Sequence, residues 1–513
     1  MGRASKKSVS VMIQGTSSHV GKSLLVTALC RIFADMGLRV APFKAQNMSL
    51  NSAVTPNGGE IGRSTALQAL AAFIPPSVDM NPVLLKPSSD SKSQVIIHGR
   101  VCANMTAAEY HSFKSDAMQS VSESFDRLSN AYDVIVMEGA GSPAEVNLRA
   151  NDIANMGVAL MTNSPVIIAG DIDRGGVFAS LVGTLELISK KEKKLVKGFI
   201  INKFRGDISL LTPGLGFLEK RAGLPVIGVV PYLNGLRLPE EDSVSLDTIR
   251  PAPGFNWSSN KTVKITVIRL PRISNFTDFD PFMTDSDVEI KFIDEPSCAQ
   301  GADIIIIPGS KNTIEDLAWL KGCGFSGAIE KNKERGGTVI GVCGGFQMLG
   351  KSVSDPRGVE SRLKRIEGLG LLEAHTVLAK KKKTFEVSAK TSVLRGASFE
   401  IKGYEIHAGE TKCKDRPFAR ITKRGAAFVS VADGGVSPCG RAWGTYIHGI
   451  FDNRDFRRAL LDGVRGTQGL AQAISPKGLG HNEAVEGSIT ALAKTVKENL
   501  DMARLMEIMG LKR

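Results

Sequence analysis

Two successive α/β domains, each built on a mostly parallel sheet, are what this 513-residue chain predicts. Two observations carry that reading. Short apolar runs without polar alternation recur along the chain, separated by helix-spaced segments, and two of them end in glycine turns that open a helix. Parallel strands buried on both faces read as continuous apolar runs, and alternation of strand with helix is the α/β signature. In the first half, strands are expected at 9–14, 38–43, 133–137, 166–169, 198–202 and 226–230. After the first, Leu24, Leu25, Ala28, Leu29, Ile32 and Phe33 share one helical face. Pro251-Ala252-Pro253-Gly254 then opens a stretch rich in Pro, Gly, Ser and Asn, read as a linker at 251–261. A second series follows at 263–270, 304–307 and 339–342, then a more β-like region ending at 444–448. The expected division is a phosphate-loop-type domain at 1–250, the linker, a flavodoxin-like α/β domain at 262–455, and a C-terminal helical extension at 456–513.

Composition sets outer limits. Hydrophobic residues make up 42% and charged residues 23%, as in ordinary globular proteins. No apolar run approaches the roughly 20 residues a membrane span needs, and the apolar stretch after the basic start is too short for a signal peptide. A cytoplasmic location without membrane association is expected. The seven cysteines include no Cys-x-x-Cys pair, which argues against a disulfide framework or structural zinc. The net charge of +13 is dispersed; its one dense run, Lys380 to Lys383, reads as a solvated loop. No nucleic-acid partner is expected, and a basic surface also suits a nucleotide or a polycarboxylate.

The segment Gly15-Thr16-Ser17-Ser18-His19-Val20-Gly21-Lys22-Ser23 joins the first strand to the first helix. Such a turn aims backbone N–H groups at one point, with the helix dipole behind them. Gly15, Thr16 and Gly21 are expected to cradle phosphates, Lys22 to reach the β- and γ-phosphates, and Ser23 to offer its hydroxyl to Mg²⁺. Magnesium also needs carboxylate oxygen. Glu138, ending the 133–137 strand among small residues, is the first candidate, and Glu60 is a weaker second. Lys44, at the tip of the second strand, is a candidate for phosphate or substrate. Asp171, Asp173 and Arg174 stand at a strand's carboxyl end, where open sheets build their sites, and are candidate substrate contacts.

The other turn, Gly341-Val342-Cys343-Gly344-Gly345, presents a thiol between a strand and a helix. A thiol attacks well at neutral pH only beside an imidazole or helix start that favours the thiolate. His448, in Tyr446-Ile447-His448-Gly449, is the expected base. Backbone N–H groups of Gly344 and of Gly309, in the turn Pro308-Gly309-Ser310, are the expected oxyanion hole. His407 is a lesser candidate, with structural and positioning roles equally open.

These motifs sit within longer matches. The second half resembles the class I glutamine amidotransferases, whose nucleophile elbow reads Gly-x-Cys-x-Gly. The phosphate loop, with five residues between Gly15 and Gly21, is similar to that of dethiobiotin synthetase. Over residues 8 to 455 the chain resembles the cobyric acid synthase family, through Phe43-Lys44-Ala45-Gln46-Asn47-Met48-Ser49-Leu50-Asn51-Ser52, Asn81-Pro82-Val83-Leu84-Leu85-Lys86-Pro87, Gly170 to Phe178, Ile200 to Asp207, Ile273-Ser274-Asn275-Phe276-Thr277-Asp278-Phe279 and Pro308 to Thr313. The resemblance implies that Cys343 is the glutaminase nucleophile and His448 its base, with ATP and Mg²⁺ used in the first domain. It implies glutamine and adenosylcobyrinic acid a,c-diamide as substrates, whose b, d, e and g carboxylates are amidated through acyl phosphates to give adenosylcobyric acid. A cobyrinic acid a,c-diamide synthase-like ligase, or a nucleotide-dependent scaffold with an inactive glutaminase domain, is the alternative. Many class I glutaminases follow this histidine with Pro-Glu; here Gly449-Ile450-Phe451-Asp452 follows, a loss the cobyrinate type shares. What orients His448 is left open between a backbone carbonyl and Asp452.

Overall fold

The computed structural model describes residues 8–89, 91–241, 257, 263–394, 397–467 and 480–511. The first domain is a six-stranded sheet in the order Val226–Pro231, Val196–Phe204, Val166–Asp171, Val9–Gly15, Val134–Glu138, Val40–Phe43, parallel throughout. Its apolar runs are buried on both faces: Val11, Ile13, Val134, Val136, Ile167 and Ile168 have no exposed surface. The Lys22–Asp35 helix covers one face and the Ala107–Ala131 helix the other. All six expected strands form within a few residues of their expected ends. The 251–261 linker lies outside the described residues except for Trp257.

The second sheet runs Val288–Ile293, Val263–Ile268, Ile304–Ile307, Thr338–Val342, Ala442–Thr445, Gly435–Val436, parallel except at the last pair. In register, Val342 pairs with Thr445. That pairing brings the turn after one strand and the turn after the other, about a hundred residues apart in sequence, to one end of the sheet.

The helix His481–Asn499 packs chiefly on the first domain, while also touching the Phe276–Thr284 segment of the second. Val485, Ile489, Leu492 and Val496 enter the same apolar cluster as Leu25, Leu29 and Phe33 of the first helix. Arg31 clamps Glu486 with two bonds of 2.6 and 2.9 Å, and Asp501 N–H bonds Ile227 O at 2.8 Å. A helical face without a motif of its own thus serves as cover for the first sheet.

Two further features were not expected from the sequence. Gln46–Met48, Val83–Ser89, Lys92–Ile97 and Arg100–Thr106 form a separate four-stranded sheet, and Ser52–Val54 pairs with Glu60–Gly62. The second domain extends a long hairpin, Ala374–Thr391 with Phe399–Cys413, back toward this region. The lysine run lies within that hairpin, at a register shift between Leu378 and Lys383, and is not a solvated loop. Lys382 reaches across to Glu60, Nζ to Oε2 at 2.6 Å, while Lys86 Nζ takes Oε1 at 2.7 Å. Further ties fasten the two domains: Phe276 N–H to Asn51 Oδ1 at 3.0 Å and Asn275 Nδ2 to Ser52 O at 3.2 Å.

Candidate functional site

Cys343 is held at φ 53°, ψ −106° between the Thr338–Val342 strand and the Gly344–Leu349 helix. A positive φ is unusual for a residue with a side chain and marks a constrained turn. The turn is tight because a side chain on Gly345 would run into the carbonyl of Ile307 on the neighbouring strand. Cys343 is 7% exposed and shares a pocket with Lys86, Lys311, Gln347, His407 and His448.

His448 lines the same pocket as Cys343 and is bonded to Asp278, Nδ1 to Oδ2 at 2.6 Å. Burial alone would lower the imidazole pKa. The negative charge of Asp278, helped by the neighbouring sulfur and the Asp278 hydrogen bond, instead raises it to about 10. The ring therefore keeps its proton at neutral pH. Tyr404 stacks on it with centroids 5.2 Å apart and an interplanar angle of 13°. The Tyr404 hydroxyl donates to Asp278 Oδ1 at 3.3 Å, and Gly449 N–H donates to the same oxygen at 3.2 Å. Arg63, from the first domain, donates to that hydroxyl at 2.6 Å.

Asp278 thus orients His448, in place of the carbonyl or Asp452 considered from the sequence. Burial pushes the Asp452 carboxyl up to about 7, and the partner of Nδ1 is Asp278. Asp278 lay inside a recognised stretch, but an aspartate 170 residues from its histidine has no spacing signal. His407 stacks under Tyr446, its Nδ1 against Gly409 O at 2.9 Å. Burial lowers its pKa despite neighbouring Glu405.

The Gly309–Ser310 strand pairs antiparallel with Ile273–Ser274. Lys311 N–H donates to Arg272 O at 2.9 Å, so alternation turns Gly309 N–H toward Ser274 and Ser310 N–H away from that ladder. A Cβ placed on Gly344 would lie 2.9 Å from Ser310 N. Ser310 N–H, not the expected Gly309 N–H, is therefore the donor that faces the elbow beside Gly344.

A second cluster forms at the carboxyl ends of the first sheet. Gly21 adopts φ 96° at the start of the Lys22–Asp35 helix. Lys22 Nζ bends back over the loop, bonded to Ser17 O and Gly141 O at 2.9 Å each. Thr16 N–H is committed to Ala169 O at 3.0 Å and does not face the loop centre, contrary to its expected role. Ser23 Oγ donates to Glu138 Oε1 at 2.8 Å, and Gln68 Nε2 to Oε2 at 2.5 Å. Burial alone would lift the Glu138 carboxyl. The Lys44 ammonium, 2.9 Å from Oε1, together with the Lys44, Gln68 and Ser23 bonds holds it below the usual range.

Among the described residues no three His, Cys, Asp or Glu side chains gather as a metal-binding group. The Ser23 hydroxyl with an ionised Glu138 is nevertheless a hard-oxygen pair of the type Mg²⁺ takes beside phosphates, and it fits that ion. Glu60 does not: both its oxygens carry lysine ammonium groups, and it belongs to the bridge between domains. Asp171 and Asp173 are turned to Lys203 at 2.8 Å and Arg205 at 3.0 Å. Lys203 also bonds His19 O at 2.7 Å, and Asn202 Nδ2 bonds Val20 O at 2.8 Å, so this edge braces the loop. Arg174 remains exposed, 3.9 Å from Asp171.

Residues 264–456 match the CobB/CobQ-like glutamine amidotransferase domain family, and residues 11–246 the CobQ/CobB/MinD/ParA nucleotide binding domain family. A cobyric acid synthase of Syntrophobacter fumaroxidans is 46% identical over 509 residues, with 98% of each chain covered. Those of Photorhabdus laumondii and Moorella thermoacetica are 48% and 47% identical, again with 98% of each chain covered. No helix among the described residues is long and apolar enough to cross a membrane. The chain belongs to the cobyric acid synthase family, and it is a glutamine-hydrolysing ligase of cobalamin biosynthesis.

Proposed function

We propose that the chain converts adenosylcobyrinic acid a,c-diamide to adenosylcobyric acid by amidating its b, d, e and g carboxylates, one glutamine and one ATP being consumed for each. The observation that carries this reading is the line Cys343–His448–Asp278 in the same chain as the Lys22, Ser23, Glu138 and Lys44 cluster.

In the glutaminase half, the Cys343 thiolate attacks the amide carbon of glutamine. Oxygen gains negative charge in the tetrahedral intermediate, where the N–H groups of Gly344 and Ser310 are placed to receive it. His448 passes its proton to the departing nitrogen, and the C–N bond breaks to leave ammonia and a thioester. Water, deprotonated by His448, then hydrolyses the thioester to glutamate and restores the pair. In the ligase half, a corrinoid carboxylate oxygen attacks the γ-phosphorus of ATP, and the bond to the ADP oxygen breaks. Ser23 and Glu138 would hold Mg²⁺, which would supply positive charge to the phosphates. Lys22 adds its own against the departing ADP, and Lys44 holds the acid. Ammonia attacks the acyl carbon, phosphate leaves with the C–O electron pair, and the surplus proton passes to phosphate. The amide is formed.

The test is mass analysis of product from purified protein, the a,c-diamide, glutamine and Mg-ATP. Four replacements of OH by NH₂ are expected. Turnover of cobyrinic acid at its a and c positions, with the diamide unused, contradicts the assignment.

Asp278→Asn should lower the glutaminase kcat about 10³- to 10⁴-fold, the cost of misorienting a catalytic imidazole. The sign of its pH effect follows from charge. Asp278 favours the protonated ring, so its removal lowers the His448 pKa from about 10 and moves the alkaline limb of glutaminase kcat/KM to lower pH. Ammonium-supported amidation should be unchanged.

A further inference from the structure

Glu241, outside every motif above, places its carboxylate among four donors of the first domain. Oε2 accepts from Lys44 Nζ at 3.0 Å and from Ser64 Oγ at 2.8 Å. Oε1 accepts from Asn47 Nδ2 at 2.6 Å and from Ser64 N–H at 3.4 Å. Two donors on each oxygen come close to saturating a carboxylate. The backbone beneath is tied as well, with Asn51 Nδ2 on Glu240 O at 3.0 Å and Ser49 Oγ on Glu241 O at 3.3 Å.

The position of this cradle gives it meaning. Its Lys44 ammonium also touches Glu138 Oε1, which takes the Ser23 hydroxyl at the mouth of the phosphate loop. A ligase that phosphorylates an acid needs a place where one carboxylate is fixed by several donors within reach of the γ-phosphate. It also needs that place to be reachable from outside. The Glu241 side chain is 12% exposed, against 2% for Glu138, so it is a rim group laid on a buried one.

We propose that Lys44, Asn47 and Ser64 form the acceptor-carboxylate subsite, and that Glu241 is an internal carboxylate occupying it until a substrate acid displaces it. This rests on the ligase reading above. Exchange of one carboxylate for another leaves the buried Lys44 ammonium flanked by two negative groups, which avoids stranding an uncompensated buried charge. Glu241 then competes with substrate and keeps the cradle donors away from water between turnovers.

The test uses the full chain and the a,c-diamide as probe, with Mg²⁺ and a non-hydrolysable ATP analogue, read by equilibrium dialysis of the coloured corrinoid. Glu241→Gln removes the competing charge and should tighten corrinoid binding about tenfold, with kcat within about twofold of wild type. Ser64→Ala removes one cradle donor and should weaken binding about tenfold with kcat less affected. Unchanged or weaker binding by Glu241→Gln overturns the displacement, as does a collapse of kcat at constant KM, which would make Glu241 a fixed positioning group. If Glu241→Gln does not fold, Ser64→Ala decides, and unaltered corrinoid affinity there overturns the subsite. Failure of the ligase reading looks different: wild type would form no amide from the diamide with ammonium and ATP.

Discussion

Cys343→Ala should abolish glutamine-supported amidation, by a factor on the order of 10⁶ as expected when the nucleophile of a covalent mechanism is removed, and leave ammonium-supported amidation intact. The substitution is small. The Cys343 sulfur is buried, bonded to Ile406 O at 3.5 Å, and alanine keeps the Cβ that the turn already accommodates. Nothing in the phosphate cluster depends on it. Parallel assays with glutamine and with an ammonium salt, above neutral pH where free ammonia is available, check the result. Loss of both activities in a folded variant would contradict the division between the two centres.

Lys22→Ala should remove amidation with either nitrogen donor, by at least about 10²-fold, the scale for deleting a single preorganised charge donor at a centre of developing charge. The Lys22 ammonium is bonded to two carbonyls, Ser17 O and Gly141 O, which hold it over the loop. Among the described residues, the neighbouring lysines are engaged elsewhere: Lys44 is shared between Glu138 and Glu241, and Lys203 between His19 O and Asp171. Folding should persist, because the helix behind the loop is held by Leu25, Leu29 and Phe33. The decisive readout is ammonium-supported amidation together with ATP binding. Full retained turnover would take the loop out of the mechanism.

The first sheet, the centre of the second and both turns were legible because each is written locally, whereas the Val288–Ile293 edge strand was not expected. Continuous apolar runs specify buried parallel strands, and a glycine turn between strand and helix specifies where a backbone can approach a ligand. Cys343, His448, Lys22, Ser23 and Glu138 sit on or directly beside such turns, and the structure gathers them into two clusters. What escaped is what depends on distant pairing. Asp278 reaches His448 from the Phe276–Thr284 segment, which packs in the second domain's core and is tied to Asn51 of the first. Lys382 looked solvated because a run of like charges is usually exposed, and its partner Glu60 stands 322 residues away. Thr16 and Gly309 were assigned by motif position, yet their N–H groups turn into neighbouring strands, a matter of register that no single segment encodes. The final helices had a visible apolar face, but nothing in their spacing identified the first sheet as the surface they cover.

The central claim is that nitrogen freed beside Cys343 meets an acid already activated beside Lys22. It is tested most directly with a,c-diamide labelled with ¹⁸O in its free carboxylates, turned over with glutamine and Mg-ATP, with inorganic phosphate then analysed by mass. An acyl phosphate leaves one carboxylate oxygen on phosphate for every amide made, so labelled phosphate should accumulate in step with product. Amide formation with unlabelled phosphate would contradict the account.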